Sequence, residues 1–230
     1  MKLAIFDVDG TLTDTNGIDE SSHLQAFREA CRIDNISTDW SQYENATDPG
    51  LIQEIFEDHF GRKPDPEQIL HFRQTFLRIL KSAAQNNHGA FREIQGALRM
   101  LELLADDPQW RIAIATGCFR ESAFLKLEAA GIPFSGFPLA SGDDGITRGE
   151  IIKQAIARGE TYYEAGSFSK IVYVGDAVWD VRTSKALQIP FVGIGENAPR
   201  LGAEGARHVF PDYMNPGLFI QCLNDAELPI

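Results

Sequence analysis

Short apolar runs that end at turns rich in Gly, Asp or Thr constrain the fold of this chain more than any other feature. The runs lie at 2–6 (KLAIF), 111–115 (RIAIA), 171–174 (IVYV) and 189–194 (IPFVGI), with a weaker one near 137–141. Continuous apolar runs are typical of strands that are buried on both faces of a parallel sheet. Helical periodicity lies between them, near 94–105, 120–130, 148–158 and 178–187. This alternation predicts an α/β fold, a doubly wound parallel sheet.

The stretch after the first run departs from this alternation. It holds helical patterns near 20–33, 49–60 and 66–85 and no convincing strand. Turn-forming residues flank it, Asn16-Gly17 at its start and 86–89 (NNHG) at its end. We therefore predict that residues 1–15 and 89–230 form the α/β core. Residues 16–88 form an inserted helical domain above the carboxyl ends of the strands.

Composition narrows the possible partners. The chain has 33 acidic against 21 basic residues, a formal net charge of −12. Such a chain lacks the basic surface that nucleic acids and anionic membranes require, so we expect neither as a partner. No apolar run approaches the roughly 18 residues of a membrane-spanning helix, and the first residues do not resemble a signal peptide. The three cysteines show no paired motif. We therefore expect a cytoplasmic protein with free thiols, a monomer by default, although a dimer stays open.

Polar side chains follow the predicted strands. They are Asp7 and Asp9, Thr116 and Gly117, and Asp176 with Asp180. Because ligands bind outside the carboxyl ends of strands in open α/β sheets, we expect these residues to converge. A single Asp at a strand end is usually a helix cap, but carboxylates at several strand ends would repel one another without a cation. Mg²⁺, which prefers oxygen ligands and substrate phosphates, fits this set.

The same segments carry a family resemblance. DVDGTLTDT at 7–15, the strand that ends in Thr116-Gly117, and GDAVWD at 175–180 resemble the haloacid dehalogenase superfamily of phosphohydrolases. The insert resembles that superfamily's small α-helical cap of the C1 type. HLQAF at 23–27 resembles the subgroup of phosphoglycolate phosphatase and β-phosphoglucomutase. The resemblance implies a Rossmann-like core and Mg²⁺-dependent hydrolysis of a small phosphorylated metabolite.

Roles for these residues follow from their chemistry and from the resemblance. Asp7 is the candidate nucleophile, which attacks phosphorus to form an aspartyl phosphate. Asp9, on the same side of the chain, suits a general acid for the leaving oxygen and then a base for water. The Thr116 hydroxyl and the Gly117 amide are placed to bind the phosphoryl group. As metal ligands the resemblance implies Asp7, Asp176 and the main-chain carbonyl of Asp9, with Asp180 as an additional or outer ligand.

One element departs from the family pattern. The family usually places a Lys at the start of the helix after the third strand, but this chain reads SGDDGITRGEIIK at 141–153. Arg148, which opens the helix, is the best positional substitute, and it could bind phosphate in a bidentate way. Lys153 lies more than a turn further along. Arg148 could instead be a surface cation that offsets the charge of nearby acidic residues.

Other polar residues receive weaker interpretations. Thr47 and Asp48 lie between the first two helices of the insert, where the subgroup contacts the leaving group, but such a pair more often caps a helix. The histidines lack the spacing of metal ligands and are given no role: His23, His59, His71, His88 and His208.

Alternative functions differ at identifiable residues. A haloacid dehalogenase would not need Asp9, and a phosphonoacetaldehyde hydrolase would need a Lys that is absent between Lys2 and Lys63. A β-phosphoglucomutase-like phosphomutase would share every core residue, so it stays open. A catalytically idle regulatory protein of the same fold is supported only by the missing Lys.

Overall fold

The strands of the core form one sheet. The computed structural model describes residues 1–230, apart from the side chain of His88, a residue to which the sequence assigned no role. The strands are β1 (Lys2–Phe6), β2 (Trp110–Ala115), β3 (Leu139–Ala140), β4 (Lys170–Gly175), β5 (Phe191–Ile194) and β6 (Val209–Phe210). They pair in parallel in the order β3-β2-β1-β4-β5-β6. The predicted parallel α/β sheet is confirmed; the short β6 is a strand that the apolar runs did not indicate.

The segment between β1 and β2 begins with three helices that share one apolar cluster, to which Phe91 and Phe119 of the predicted core also contribute. They are α1 (Asn16–Ala26), α2 (Asp48–Phe60) and α3 (Pro66–Asn86). The predicted apolar stripe of α3 is buried, and its members Phe72 and Phe76 pack with residues of α1 and α2. Asp65 and Gln68 form a capping box at the start of α3, where Pro66 already has a helical φ. We call residues 16–88 the helical segment; its division from the core as a separate domain stays a prediction.

Helices cover both faces of the sheet. On one face lie α4 (Ala97–Asp106), α5 (Arg120–Ala129) and α9 (Pro216–Asp225). On the other lie α6 (Arg148–Tyr162), α7 (Val178–Leu187) and α8 (Ala198–Ala203). Strand β1 shows why its residues are continuously apolar. Ala4 and Phe6 contribute to the first core, whereas Leu3 and Ile5 contribute to the second.

Two helices have boundaries that differ from the predicted ones, each for a local reason. The helix predicted over 94–105 begins at Ala97, because Gly96 has a φ of +83° that a helix cannot continue through. The helix predicted over 20–33 begins at Asn16 and ends in a π-helical turn, Phe27–Cys31, at a left-handed Arg32. None of the helices in the described residues combines the length and hydrophobicity needed to span a bilayer.

Candidate active site

The carboxyl ends of β1 and β4 bring together the predicted charged residues. Asp7 follows β1, Asp176 follows β4, and Asp180 lies in the first turn of α7. Arg148 reaches them from the first turn of α6, where Thr147 caps the helix through a capping box with Glu150. Its Nη1 lies 3.0 Å from Asp7 Oδ2 and 3.2 Å from Asp180 Oδ1. The alternative in which Arg148 is a surface cation is therefore wrong, because its guanidinium is held inside the carboxylate cluster.

Asp180 already has partners for both carboxylate oxygens. Oδ1 accepts a hydrogen bond from the Tyr173 hydroxyl at 3.0 Å, and Oδ2 accepts one from the Ala177 amide at 3.0 Å. Asp176 is more open, with one hydrogen bond from Asn16 Nδ2 to its Oδ2 at 3.0 Å. Asp176 is thus better placed than Asp180 to bind an ion directly.

The electrostatics of this cluster indicate that a cation belongs there. Burial raises the pKa of Asp7 to about 7; Arg148 opposes the shift, and the carboxylates of Asp180 and Asp9 add to it. Burial and the carboxylates of Asp180 and Asp7 raise the pKa of Asp176 well above its usual range. A bound divalent ion would favour the charged carboxylates and so offset both causes of these shifts, burial and the repulsion between neighbouring acids.

The donor set fits Mg²⁺. Oxygen atoms from Asp7, Asp176 and Asp180 lie within 4.8 Å of one another. Asp7 Oδ1 is buried and has no hydrogen-bond partner among the described atoms. Mg²⁺ prefers hard oxygen ligands such as these carboxylates. A buried carboxylate oxygen without a partner costs free energy, and a bound ion would give Asp7 Oδ1 a partner.

Gly10 allows the turn after β1, in the motif at 7–15, to pack closely against Asp176. Its φ is +71°, and a Cβ added there would lie 2.0 Å from Asp176 Oδ2. Only glycine meets both conditions, so the turn after β1 and the carboxylate after β4 can lie against each other.

The structure places Thr116 and Gly117 differently with respect to the cavity. Gly117 lines it, and a Cβ added there would lie 3.3 Å from Arg148 Nη2. Thr116 is buried behind the wall, where its hydroxyl accepts a hydrogen bond from the Cys118 amide at 3.2 Å. The phosphate-binding roles of both residues stay predictions.

The cavity at this edge has a volume of about 450 Å³. Its floor contains Asp7, Asp9, Asp176 and Arg148, and its opposite wall comes from the helical segment. That wall includes Glu20, His23, Asp39, Trp40, Thr47 and Asp48. A cavity of this size accommodates a small metabolite and brings both parts of the chain to it.

Asp9 lies in a separate set of contacts that the sequence did not reveal. Thr15 Oγ1 donates to its Oδ1 at 2.6 Å, and Cys118 Sγ donates to its Oδ2 at 2.9 Å. The ammonium group of Lys126, a residue of α5 with 0% exposure, lies 2.9 Å from the same carboxylate. Lys126 sits in an ordinary helical pattern, so no sequence signal marked it.

A second residue that the sequence missed is His23. Its ring is buried, with Nε2 3.1 Å from Asp48 Oδ1 and Nδ1 3.3 Å from Asp19 Oδ2. Although burial opposes the charged form, the carboxylates of Asp19 and Asp48 raise the pKa of His23 to about 10. The histidine is therefore a buried cation at neutral pH.

Thr47 caps α2, as the capping interpretation predicted, whereas the Asp48 side chain has other partners. Thr47 Oγ1 accepts a hydrogen bond from the Gly50 amide at the start of α2 and donates one to the Ile146 carbonyl. Asp48 Oδ2 accepts one from the Phe119 amide at 2.8 Å, which joins the helical segment to the core.

Comparison with known proteins places this site in a family. A model of haloacid dehalogenase-like hydrolases matches residues 1–188. A search of curated proteins finds no match. Among solved structures, a hydrolase from Pseudomonas syringae is similar with a TM-score of 0.75 and 20% identity, covering 98% of this chain and 99% of that one.

Two further solved structures show the same fold. CbbY from Rhodobacter sphaeroides in complex with phosphate has a TM-score of 0.69 and 18% identity, with 94% of this chain and 96% of that chain covered. A predicted phosphoglycolate phosphatase from Haemophilus somnus has a TM-score of 0.62 and 18% identity, with 96% and 98% covered. Since the family model spans the first motif, the helical segment and the carboxylates after β4, the chain belongs to the haloacid dehalogenase-like hydrolases.

Proposed function

We propose that this protein is a Mg²⁺-dependent phosphatase that hydrolyses a small phosphomonoester through an aspartyl phosphate on Asp7. The observation that carries the proposal is the environment of the Asp7 carboxylate. One oxygen is buried without a partner, and the other lies 3.0 Å from the Arg148 guanidinium. A carboxylate can attack an anionic phosphoryl group only when cationic groups offset the charge, and Arg148 is one such group beside Asp7.

The residues divide the reaction between them. Asp7 Oδ1 attacks phosphorus while the bond from phosphorus to the ester oxygen breaks, and Asp9 gives that oxygen its proton. Water then attacks the aspartyl phosphate, Asp9 takes the proton from the water, and the bond between phosphorus and Asp7 breaks to release phosphate. Arg148 binds the phosphoryl oxygens in both steps.

Mg²⁺ would be held by Asp7, Asp176 and the main-chain carbonyl of Asp9, and it would offset negative charge on the transferring group. We assign Asp180 to the positioning of Arg148, because both of its oxygens already accept hydrogen bonds. Thr116 and Gly117 complete the phosphate site. The helical segment acts as the cap that covers the leaving group.

The charges on the cavity wall that faces the leaving group favour a leaving group that carries no second anionic group. Among the described side chains that line the cavity, Arg148 and Arg200 are the only Arg or Lys residues. Arg200 is 4.0 Å from the Asp39 carboxylate, and Glu20 adds another negative charge. The positive charge of His23 on this wall is already paired with the carboxylates of Asp19 and Asp48. We therefore infer a hydroxyl-bearing leaving group, which favours a phosphatase over a phosphomutase that must hold a bisphosphate.

Asp7→Asn tests the mechanism against a matched control. The variant keeps the size of the side chain, so it should fold normally and release no phosphate with Mg²⁺ from a panel of small phosphomonoesters. Asp14→Asn changes a carboxylate of the same motif that pairs at the surface with Arg92, and it should retain wild-type activity. Full phosphate release by Asp7→Asn would overturn the mechanism.

The same panel separates the alternatives. Stoichiometric phosphate release from hydroxyl-bearing monophosphates supports a phosphatase, whereas a trapped bisphosphorylated intermediate supports a phosphomutase. If the folded, Mg²⁺-bound protein releases no phosphate from any substrate of the panel, the hypothesis of a catalytically idle regulatory protein would be favoured. We expect the enzyme to act in the cytoplasm, since Cys31, Cys118 and Cys222 are buried free thiols.

A further inference from the structure

Lys126 is a fully buried lysine at the junction of the core and the helical segment. Its ammonium lies 2.9 Å from the Asp9 carboxylate and 3.2 Å from Cys118 Sγ, and it also forms an ion pair with Asp19 of α1. Although burial opposes the charged form, the carboxylates of Asp19 and Asp9 raise the pKa of Lys126 well above its usual range. Lys126 is therefore a permanent cation in the interior of the protein. Lysines are almost never fully buried unless they are paired, and Lys126 is paired with these carboxylates.

The cluster is not a second metal site. Oxygen atoms of Asp9 and Asp19 and the Cys118 sulfur lie within 4.8 Å of one another, a spacing that could surround an ion. The ammonium of Lys126 contacts all three of them instead. The cation of this cluster is thus part of the chain.

One carboxylate would be enough to neutralise Lys126, and Asp19 already supplies it. The contact with Asp9 is additional. It restrains Asp9 Oδ2 from one side while Thr15 Oγ1 donates to Oδ1 from the other. Lys126 is not among the residues that line the cavity, whereas Asp9 is. Lys126 contacts three residues that do line it, Asp9, Asp19 and Cys118, and of these only Asp9 has a role in the proposed reaction.

We propose that Lys126 is a positioning residue that holds the Asp9 carboxylate in the orientation from which it exchanges protons with the leaving group and with water. The proposal rests on the proposed function, in which Asp9 is the general acid and base. Without Lys126, Asp9 Oδ2 would lose the ammonium group that restrains it, and the carboxylate would be free to rotate out of its present orientation. Phosphate binding at Arg148 would not change, because Lys126 makes no contact there.

The test uses a double variant, since Lys126→Met alone removes the cation that lies between the carboxylates of Asp9 and Asp19 and can unfold the protein. Lys126→Met with Asp19→Asn removes one charge of each sign and keeps both side-chain volumes close to the original. Asp19→Asn alone is the reference. We expect kcat of the double variant to fall roughly tenfold or more below that of Asp19→Asn, within the range of general acid–base catalysis. The inhibition constant of inorganic phosphate should stay the same.

A crystal structure of the double variant supplies a readout that does not depend on activity. We expect the Asp9 carboxylate to leave its present orientation or to occupy two conformers. An unchanged, fully occupied Asp9 conformer, or a kcat equal to that of Asp19→Asn, would overturn the positioning role. If the wild-type protein releases no phosphate, the proposed function fails, but the Asp9 conformer still decides whether Lys126 positions this side chain. Equal losses in kcat and in phosphate affinity would indicate general damage and also overturn the proposal.

Discussion

Arg148 Nη1 lies 3.0 Å from Asp7 Oδ2, so the candidate nucleophile has a guanidinium where the family usually has a lysine ammonium. The same Nη1 lies 3.2 Å from Asp180 Oδ1 and donates to the Tyr173 hydroxyl at 3.2 Å. A guanidinium has several fixed donors, which lets it bridge two carboxylates and still present other N–H groups to a phosphate. The departure from the family pattern is thus a substitution of one cation by another.

Arg148→Met should reduce kcat/KM roughly 100-fold, because it removes the fixed cation that offsets charge on Asp7 and on the phosphoryl group. Arg148→Lys should recover part of this loss, since an ammonium keeps the charge but cannot bridge the same carboxylates. Lys153→Met is the matched control; Lys153 is exposed on α6, and its loss should leave steady-state kinetics unchanged. A larger effect at Lys153 than at Arg148 would reverse the assignment.

Arg148 could be predicted from the sequence because strand ends and helix starts have known positions in a parallel α/β sheet. Lys126 and His23 could not be predicted. Each of them lies inside a helix and differs from other charged helix residues only in being buried beside carboxylates from other parts of the chain. Lys126, for example, is buried beside Asp9. Helical periodicity does not reveal which charged residue of a helix meets a partner 117 positions away. The fold was largely predictable, whereas the charge network between the two parts required coordinates.

Asp176→Asn should raise the Mg²⁺ concentration for half-maximal activity roughly tenfold, and Asp180→Asn should raise it less. Asp176 has one hydrogen bond, from Asn16, and faces the cavity, whereas the oxygens of Asp180 accept from Tyr173 and Ala177. Asp180→Asn should instead lower thermal stability, by about 1–3 kcal/mol for the lost charge-assisted hydrogen bonds. Mg²⁺ titrations of activity and thermal melts after EDTA treatment measure both effects.

The reverse order, with Asp180→Asn more damaging to the Mg²⁺ requirement than Asp176→Asn, would show that Asp180 is the direct ligand. The hydrogen bonds from Tyr173 and Ala177 to Asp180 would then have to give way to a contact with the ion.

Gly10→Ala should abolish Mg²⁺-dependent activity and lower the melting temperature. A left-handed φ costs an alanine about 1–2 kcal/mol, and its Cβ would lie on Asp176 Oδ2, which must move away from the metal site. Gly136→Ala is the control, since no atom lies within 4 Å of a Cβ there and its φ is not positive. Wild-type Mg²⁺ activation of Gly10→Ala would contradict the tight approach of the two motifs.

His23 should make the stability of the protein depend on pH above neutrality. Its folded-state pKa of about 10 lies above the ordinary value of 6.5, so the folded protein binds the proton more tightly than the unfolded chain does. The ion pairs with Asp19 and Asp48 therefore contribute fully below pH 6.5, and their contribution is lost as the pH rises towards 10. His23→Gln lacks this contribution at every pH. The difference in melting temperature between wild type and His23→Gln should be largest near pH 6 and shrink steadily towards pH 10.

Subtracting the variant from the wild type removes the pH dependence of every other group, including the acids of the metal site. His59→Gln controls for the substitution itself; His59 is exposed, and its variant should melt with the wild type throughout the range. A His23→Gln difference that is constant from pH 6 to pH 10 would show that the pKa of His23 does not change on folding, and a difference that grows from pH 6 to about pH 7.5 would show that His23 is neutral in the folded protein. Asp48 would then be held mainly by its hydrogen bond from the Phe119 amide, and Lys126 with Asp19 would be the remaining buried ion pair at this junction.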